Sequence, residues 1–225
     1  MSTIISAEAL SQYLPFWDKL TNNQQNLILT NTLVQHYNRG SLMHRGDEEC
    51  VGVLLVKSGL LRIYMLSEDG REITLYRLAA NDVCILSASC VLDSITFEVM
   101  IEAQSDTDVY LITSSIFKEI ADQNIYASEF GYHLATTRFS DVMWSMQQLL
   151  FHRVDQRIAT VLWDAMIKNN TNAIALTHEQ LAKDIGSARE VVSRILKDMA
   201  NNQIVELKRG YIIILDKKQL KQLTK

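Results

Sequence analysis

The spacing of apolar and polar residues predicts a β-rich region within residues 36–112. Short apolar runs there are separated by glycine and acidic residues, a punctuation typical of strands joined by tight turns. In the run Leu61–Met65 apolar side chains alternate with Arg62 and Tyr64, the period of two expected of a strand with one buried face. Asp69-Gly70 follows and predicts a two-residue type I′ hairpin turn, because both residues suit positive φ angles. Several such strands predict a closed antiparallel barrel or jelly roll.

A long helical pattern follows between Ala127 and His152. Apolar residues recur there at alternating spacings of three and four, an a/d heptad seam. The seam comprises Tyr132, Ala135, Phe139, Val142, Met146 and Leu149. A second apolar stripe is expected to pack on the barrel and comprises Met143, Trp144, Leu150 and Phe151. Because both stripes need a partner and the barrel covers one, we interpret the seam as a dimer interface, with an ordinary buried helix as the alternative.

Capping patterns mark the starts of several further helices. Thr21 with Gln24 forms a capping box among the short helices predicted for residues 1–35, and Thr177 with Gln180 forms another near the C-terminus. Gly186 ends this last helix in the left-handed conformation that such a stop requires. Ser187 then starts a second helix, with Glu190 in the third position of a further capping box.

Two short helices joined by a tight glycine turn predict a helix-turn-helix that reads duplex DNA. Polar residues of the second helix share the face opposite its apolar stripe, where an arginine can bond guanine O6 and N7 with both arms. Residues 204–215 form a predicted β-hairpin with a basic tip, a wing placed to contact phosphate. Glu190 is interpreted as an acceptor for cytosine N4, as a capping residue, or as both. The candidate DNA-binding residues are Thr177, Ser187, Arg189, Glu190, Ser193, Arg194, Lys197, Lys208 and Arg209.

Composition and charge agree with one basic domain attached to an acidic body. The chain has 225 residues, of which 48% are hydrophobic and 21% charged, as in folded globular proteins. Residues 177–225 carry a net charge of +4 and the other residues −8, which together make the −4 of the chain. This asymmetry is expected when one domain meets phosphate.

Targeting features and cysteine usage predict a cytoplasmic protein. No apolar run approaches the roughly 18 residues of a membrane span, and no secretory signal is visible at the start. Membrane association is therefore not expected. Cys50, Cys84 and Cys90 are an odd number without C-x-x-C spacing. This pattern argues against a disulfide framework and against a structural zinc site, so no metal is assigned.

Five segments, taken in order, resemble the CRP/FNR family of bacterial regulators across essentially the whole chain. The most specific is I-G-S-A-R-E-V-V-S-R-I-L, which is similar to the family's recognition helix. The others are G-S-L-M-H-R-G-D-E (Gly40–Glu48), V-K-S-G-L-L-R-I (Val56–Ile63), E-D-G-R-E-I-T (Glu68–Thr74) and L-L-F-H-R-V-D-Q-R-I-A (Leu149–Ala159).

This resemblance implies an α+β fold and a transcription regulator controlled by an effector. It implies a sensor β-roll with N-terminal helices over residues 1–126, which is a double-stranded β-helix or cupin-like jelly roll of the cyclic-nucleotide-binding type. A dimerisation helix is expected over residues 127–152 and a winged helix-turn-helix over residues 153–225. Arg189, Glu190 and Arg194 become the base-reading residues of a homodimer on a near-palindromic site. RNA polymerase is the further partner that the family implies.

The same comparison predicts an effector other than cyclic AMP. Cyclic-nucleotide members hold the sugar and phosphate with a Gly-Glu pair and an Arg-Ser pair, whereas Ile85 and Leu86 stand where Gly and Glu are expected. No arginine lies between Arg77 and Arg138, so the phosphate lacks the guanidinium that an anion needs. Oxygen-sensing members use N-terminal cysteines, and the absence of cysteine before Cys50 excludes a four-thiolate cluster within one subunit.

Three sensor chemistries stay open, as does a protein that senses nothing, and no cofactor is assigned. The segment that would line an effector pocket holds Cys84, Ser87, Ser89 and Cys90. Its thiols could act as a redox switch or supply a haem ligand, although buried cysteine is usually a small apolar residue. The other candidate haem ligands are His36, His44, His133, His152 and His178. The third possibility is a small organic or anionic effector bound between the barrel and the long helix.

Two alternatives come from other functional classes. A metal-dependent enzyme on a cupin-like barrel needs clustered histidine and carboxylate ligands. Residues 36–112 contain only His36 and His44, without a second pair, so this alternative fails on ligand count and the chain is expected not to be an enzyme. A cyclic-nucleotide-binding module attached to another protein is disfavoured because the chain carries its own helix-turn-helix.

Overall fold

The computed structural model describes residues 5–44, 52–68, 70–85 and 99–224. The chain divides into two compact units. The first comprises Met1–Met65 and Leu75–Val142, and the second comprises Leu66–Thr74 and Met143–Lys225.

In its described residues, the first unit has short helices, eight strands and most of a long helix. Its elements in chain order are α1 (Ala7–Ser11), a 3₁₀ turn (Trp17–Lys19), α2 (Asn22–Asn31), β1 (Thr32–Tyr37), β2 (Leu42–His44), β3 (Val53–Ser58), β4 (Leu60–Leu66), β5 (Glu72–Ala79), β6 (Val83–Cys84), β7 (Met100–Ala103), β8 (Thr107–Ile112), α3 (Ser114–Gln123) and α4 (Ile125–Phe151). The last residue of β4, the first residues of β5 and the last residues of α4 fall in the second unit.

These strands form two four-stranded sheets. One has the order β1-β8-β3-β6 and the other the order β2-β7-β4-β5. The β1–β8, β3–β8 and β4–β7 pairs are antiparallel, with Leu54 opposite Leu111 and Ile63 opposite Ile101. Apolar side chains from both sheets form a common buried cluster that includes Leu54, Leu61, Ile63, Ile101 and Leu111. The predicted α+β class and β-rich N-terminal domain are confirmed.

Strand β4 departs from the simple alternation that the sequence predicts. Leu61 and Ile63 are fully buried as expected, but Arg62 and Tyr64 are also buried, at 1% and 8% exposure. The Arg62 guanidinium lies 4.3 Å from the Tyr64 ring centroid and 3.5 Å from a Glu102 carboxylate oxygen on β7. Both faces of β4 are therefore buried at these positions, and the prediction of one buried face was wrong.

The hairpin between β4 and β5 forms, but its turn is longer than predicted. The Ser67 amide donates to the Arg71 carbonyl at 2.9 Å, so the turn contains three residues rather than two. Gly70 has φ +80°, as the last residue of such a turn requires. Asp69 lies outside the described residues.

The second unit is a three-stranded sheet covered by helices. Its elements are α5 (Val154–Asn169), β9 (Ala173–Ile174), α6 (His178–Ile185), α7 (Arg189–Asn201), β10 (Val205–Lys208), β11 (Tyr211–Ile214) and α8 (Lys217–Leu223). The sheet has the order β10-β11-β9, and both pairs are antiparallel. One apolar cluster joins the helices to the sheet, with Leu162, Leu181, Val192, Leu196 and Ile212 fully buried. The predicted helix-turn-helix and wing are both present.

None of the helices in the part of the chain that the structure describes is long and apolar enough to cross a membrane.

Candidate nucleic-acid interface

The start and end of α6 are set by local interactions that the sequence predicted. The Thr177 hydroxyl accepts a hydrogen bond from the Gln180 amide at 3.1 Å, and the Gln180 side chain accepts one from the Thr177 amide at 2.9 Å. At the other end Gly186 has φ 60° and ψ 48°, the left-handed cap. Arg157 of α5 donates to the Ile185 carbonyl at 2.6 Å, and burial lowers the pKa of its guanidinium. These contacts define both ends of α6 and join its C-terminal end to α5.

The start of α7 differs from the prediction. The helix begins at Arg189 with Ala188 as its N-cap, and no side chain caps it. Ser187 instead lies in the turn, where its amide donates to the Ala182 carbonyl at 2.9 Å. The expected capping box between Ser187 and Glu190 was therefore wrong. Glu190 is an exposed acid in the first turn, where the helix dipole favours a negative charge.

Helix α7 has one buried face and one polar face, which we call the reading face. Val192, Leu196 and Met199 are buried in the core of the second unit. The polar side chains lie within an arc of about 140° at 3.6 residues per turn. The reading face comprises Arg189, Glu190, Ser193, Arg194 and Lys197.

The cations of the reading face are available to a ligand. Arg189, Arg194 and Lys197 are exposed. None of them forms an ion pair or hydrogen bond with another of the residues that the structure describes. Two guanidinium groups and an ammonium without internal partners form a surface suited to an anion or to the acceptor edge of a base.

Within the described part of the chain, Ser193 is the one member of the reading face with an internal partner. Its hydroxyl lies 2.9 Å from Nδ1 of His178, the first residue of α6. This bond ties the two helices of the motif together and orients the serine. From the sequence His178 was considered only as a candidate haem ligand. Its contact with Ser193 was missed because the two residues are 15 positions apart.

The wing brings a second group of predicted residues together with α6 and α7. Lys208 and Arg209 lie at the turn between β10 and β11, and Lys208 makes a 3.4 Å ion pair with Glu206 whose side chains are both about half exposed. A depression of about 300 Å³ is lined by Leu176, Thr177, His178, Glu179, Arg189, Lys208, Gly210, Tyr211 and Ile212. Thr177, Arg189 and Lys208, which are far apart in sequence, thus share one surface.

Tyr211 is a further residue of this depression that the sequence analysis did not select. Its side chain is 50% exposed, and it directly follows the wing tip. An exposed tyrosine beside two wing cations can donate its hydroxyl to a phosphate oxygen. The available signal was its position immediately after Lys208-Arg209-Gly210.

The predicted effector-pocket residues are described only in part. Cys84 lies on β6 and is fully buried. Ser87, Ser89 and Cys90 lie outside the described residues. Among the residues that are described, no three His, Cys, Asp or Glu side chains are grouped so that they could hold a metal ion.

The long helix α4 exposes an apolar stripe that differs in part from the predicted seam. Tyr132, Phe139 and Met146 are exposed at 65%, 64% and 48%. Ala135, Val142 and Leu149 are only partly exposed, and Val142 packs against the core of the first unit. The stripe expected to pack on the barrel is exposed, so that expectation was wrong: Met143 44%, Trp144 51%, Leu150 64% and Phe151 77%.

The exposed residues of α4 follow a heptad pattern of their own. Tyr132, Thr136, Phe139, Met143, Met146 and Leu150 are all exposed, with spacings of four and three. We call this set the α4 stripe. Three of its members also belong to the predicted seam. The other three seam residues, Ala135, Val142 and Leu149, are partly buried in the single chain and are not part of the stripe.

Comparison with known proteins identifies the family. A model of the cyclic nucleotide-binding domain matches residues 34–124, and a model of the Crp-like helix-turn-helix domain matches residues 156–223. A solved structure of a CRP/FNR-family transcriptional regulator from Eubacterium rectale is 45% identical, with a TM-score of 0.88 over 94% of this chain and 98% of its own. The chain belongs to the CRP/FNR family. As a CRP/FNR member it is a transcription regulator with a DNA-binding helix-turn-helix and not an enzyme.

More distant CRP/FNR proteins match at lower identity. The anaerobic regulatory protein of Bacillus subtilis is 21% identical over 213 residues, which cover 89% of this chain and 87% of that protein. The cAMP-activated global transcriptional regulator Vfr of Pseudomonas aeruginosa is 23% identical over 187 residues, which cover 78% of this chain and 86% of that protein.

Proposed function

We propose that this CRP/FNR regulator binds a near-palindromic duplex site as a homodimer and that an effector other than cyclic AMP controls it. Arg189, Glu190 and Arg194 read base edges in the major groove. Lys208 and Arg209 contact backbone phosphate from the wing, with Thr177 at the edge of the same depression. The observation that carries the proposal is the row of exposed cations on α7, which lack partners among the described residues.

Base reading by α7 follows from the chemistry of the reading face. A recognition helix contacts bases with the residues near its N-terminus. Arg189 and Glu190 are the first two residues of α7, and Arg194 lies one turn after Glu190. An arginine bonds guanine with two parallel hydrogen bonds, and a glutamate accepts from cytosine N4, so together they can specify adjacent base pairs.

The α4 stripe supports the proposed homodimer. Its apolar members are between 44% and 65% exposed in the single chain. A contiguous exposed apolar surface with heptad spacing is typical of a helix that pairs with a second copy. Two-fold pairing would place two reading faces in successive major grooves, about 34–36 Å apart, which explains why the expected site is near-palindromic.

An effector other than cyclic AMP is supported by the residue at the end of β6. Ile85, where a cyclic-nucleotide site is expected to have glycine, is fully buried among apolar residues. Leu86 lies outside the described residues. The Pseudomonas relative is named as cAMP-activated, but its 23% identity carries the fold and not the ligand. RNA polymerase is the proposed partner at promoters, as the family implies.

Arg189→Ala tests the proposal. The duplex recovered by in vitro selection is titrated with the full chain, and binding is measured by fluorescence anisotropy. Loss of the bidentate base contact costs about 1–3 kcal/mol, so affinity should fall roughly five- to 150-fold for each half-site and discrimination should relax at one base pair. Lys168→Ala removes an exposed cation at the end of α5 and should leave binding unchanged.

A wing variant separates base reading from phosphate contact. Arg209→Ala should weaken selected and random duplexes alike and reduce the slope of log affinity against log salt by about one for each subunit in contact. The assignment of α7 as the reading helix is wrong if Arg189→Ala binds the selected duplex as tightly as Lys168→Ala does.

A further inference from the structure

A charged side chain of α4 lies in the interior of the first unit. The Arg138 side chain is only 13% exposed, although the neighbouring Thr137 and Phe139 are exposed. Its guanidinium carbon lies 5.1 Å from the centroid of the Tyr76 ring on β5. The helix thus directs a cation toward the strands, beside an aromatic face.

The guanidinium is only partly satisfied there. Nη1 donates to an Asp141 carboxylate oxygen at 2.9 Å, and Nη2 donates to the Val83 carbonyl at 3.3 Å. Nε is buried and has no hydrogen-bond partner among the described residues. A guanidinium has five N–H donors, so donors remain available on the Nε side.

Tyr76 supplies a second unsatisfied donor at the same place. Its hydroxyl oxygen is also buried without a hydrogen-bond partner among the described residues. Burial is the main reason that the pKa of Tyr76 is raised, and the neighbouring Cys84 thiol raises it further. The phenol is therefore neutral near pH 7 and keeps its proton as a donor. Buried donors without acceptors are uncommon in folded proteins, because each loses its hydrogen bond to water.

The unpaired donors of Arg138 and Tyr76 would be satisfied by a hydrogen-bond acceptor that carries a negative charge. A cation would be repelled by Arg138 and offered no lone pair by Nε. A carboxylate fits best, because its two oxygens can accept from Nε and from the second N–H of Nη2 in a bidentate arrangement. The nearby apolar side chains, which include Leu75, Leu78 and Val142, favour a ligand with an apolar body.

We propose that Arg138 and Tyr76 bind the carboxylate of a small organic acid with an apolar body, and that this acid is the effector. Arg138 anchors the carboxylate, and the Tyr76 hydroxyl donates a further hydrogen bond. Asp141 bonds the opposite edge of the guanidinium through Nη1, and its negative charge weakens the attraction of Arg138 for a second carboxylate. The inference rests on the proposed effector-controlled regulator and names the chemistry of its ligand. The sequence has no arginine between Arg77 and Arg138 to bind an anion. In this proposal Arg138 itself binds the anion, and it lies on α4 rather than on a strand.

Control of DNA binding follows from the position of Arg138. It directly precedes Phe139, a member of the α4 stripe. A ligand held between Tyr76 and Arg138 would favour one placement of α4 against the strands, and so one arrangement of the proposed dimer. Such an effect requires only that the ligand prefer one arrangement over the other.

The experiment is a titration of the full chain without DNA. Protein labelled with ¹⁵N in arginine is titrated with sodium formate, acetate and benzoate, with sodium chloride, benzamide and cyclic AMP as controls. The Arg138 Nε–H resonance is assigned by its loss in Arg138→Gln. At least one carboxylate should shift this resonance downfield in a saturable way, while equal concentrations of the controls should not.

Matched variants test the roles of the individual groups. Arg138→Gln and Arg138→Lys should each weaken carboxylate binding at least tenfold, measured by calorimetry, since neither can form the bidentate pair. Tyr76→Phe should weaken it several-fold. Asp141→Asn should strengthen it, because the negative charge beside the guanidinium is removed. Arg77→Gln makes the same substitution on β5 next to Tyr76, at an exposed arginine bonded to Gln104, and should have no effect.

Two results would overturn the inference. One is that formate, acetate and benzoate all fail to shift the Arg138 Nε–H resonance beyond its position in sodium chloride. The other is that Asp141→Asn weakens binding as much as Arg138→Gln does. Neither result affects DNA binding by the reading face, and a failure of the Arg189→Ala test would leave carboxylate binding intact. The two proposals therefore fail separately.

Discussion

An exposed pair on the strands of the first unit shows how one residue alters the titration of another. Nδ1 of His36 on β1 lies 2.8 Å from a carboxylate oxygen of Asp108 on β8. The hydrogen bond to Asp108 raises the pKa of His36 above its ordinary value near 6.5. The same bond lowers the pKa of Asp108 below its ordinary value near 3.8, and a bond from Ser58 adds to this effect. Both groups are exposed, so solvent and salt screen the interaction.

The pH dependence of this pair has two limbs. The His36 contribution to stability is complete below its unfolded pKa and is lost as pH rises through the raised folded pKa. The Asp108 contribution is present above the ordinary aspartate pKa and is lost as pH falls through the depressed one. The pair is therefore most favourable between about pH 4 and pH 6.5.

Asp108→Asn tests this assignment. The substitution removes the charged acceptor, so the pKa of His36 should fall toward its ordinary value. The titration of the His36 Hε1 proton by NMR measures the change. An unchanged His36 midpoint in the variant would show that the pair does not form in solution.

At the scale of elements, the turn between α6 and α7 depends on one backbone conformation. Gly186 has φ +60°, a region that costs an L-residue roughly 1–2 kcal/mol. A Cβ there would also lie 3.0 Å from a terminal carbon of Leu149, a contact that the flexible side chain can partly relieve. The helix-turn-helix thus depends on glycine at this position for a local reason.

Gly186→Ala should lower the free energy of unfolding of the second unit by about 1–2 kcal/mol, because of the strained backbone. Urea denaturation followed by circular dichroism measures the loss. Gly131→Ala is the matched control: this glycine lies within α4 without a positive φ, and its Cβ would meet neighbours at an ordinary 3.5 Å. Alanine should there stabilise by up to about 1 kcal/mol. Equal effects of both changes would argue against a left-handed Gly186.

At the scale of the whole molecule, the α4 stripe provides the surface through which two copies are proposed to pair. Its central members Phe139 and Met143 are 64% and 44% exposed. Pairing would bury these side chains and link two DNA-reading units. The second half-site is then bound at a high effective concentration, which raises affinity without new contacts.

Met143→Asp should convert the dimer to a monomer, because it places a charge in the proposed apolar interface. Sedimentation at micromolar concentration measures the change, and affinity for the selected duplex should fall at least tenfold. Thr137→Glu introduces a charge at an exposed position on another face of α4 and should leave the dimer intact. A variant Met143→Asp that still sediments as a dimer would return the interface to the seam containing Ala135 and Val142, or to another surface.

Much of the fold and part of the candidate site could be predicted because their causes are local. The capping boxes at Thr21 and Thr177, the glycine stop at Gly186 and the two hairpins depend on neighbouring residues and backbone torsions. The exposed arginines of α7 followed from helical spacing alone. The base-reading roles themselves stay predictions that DNA binding must test.

Contacts between distant parts of the chain could be identified only from the folded structure. The heptad pattern of α4 allowed two apolar stripes, one containing Val142 and one containing Met143. Val142 packs against the core of the first unit, which favours the stripe that contains Met143. Alternation along the sequence predicted that Arg62 and Tyr64 form the exposed face of a strand. In the structure both are buried, and Arg62 lies beside Glu102 of β7. No role was assigned to Arg138 from the sequence, but its guanidinium lies against the ring of Tyr76, far away in sequence. Local sequence determines torsions and periodicity, whereas burial depends on which distant side chains occupy the space next to a residue.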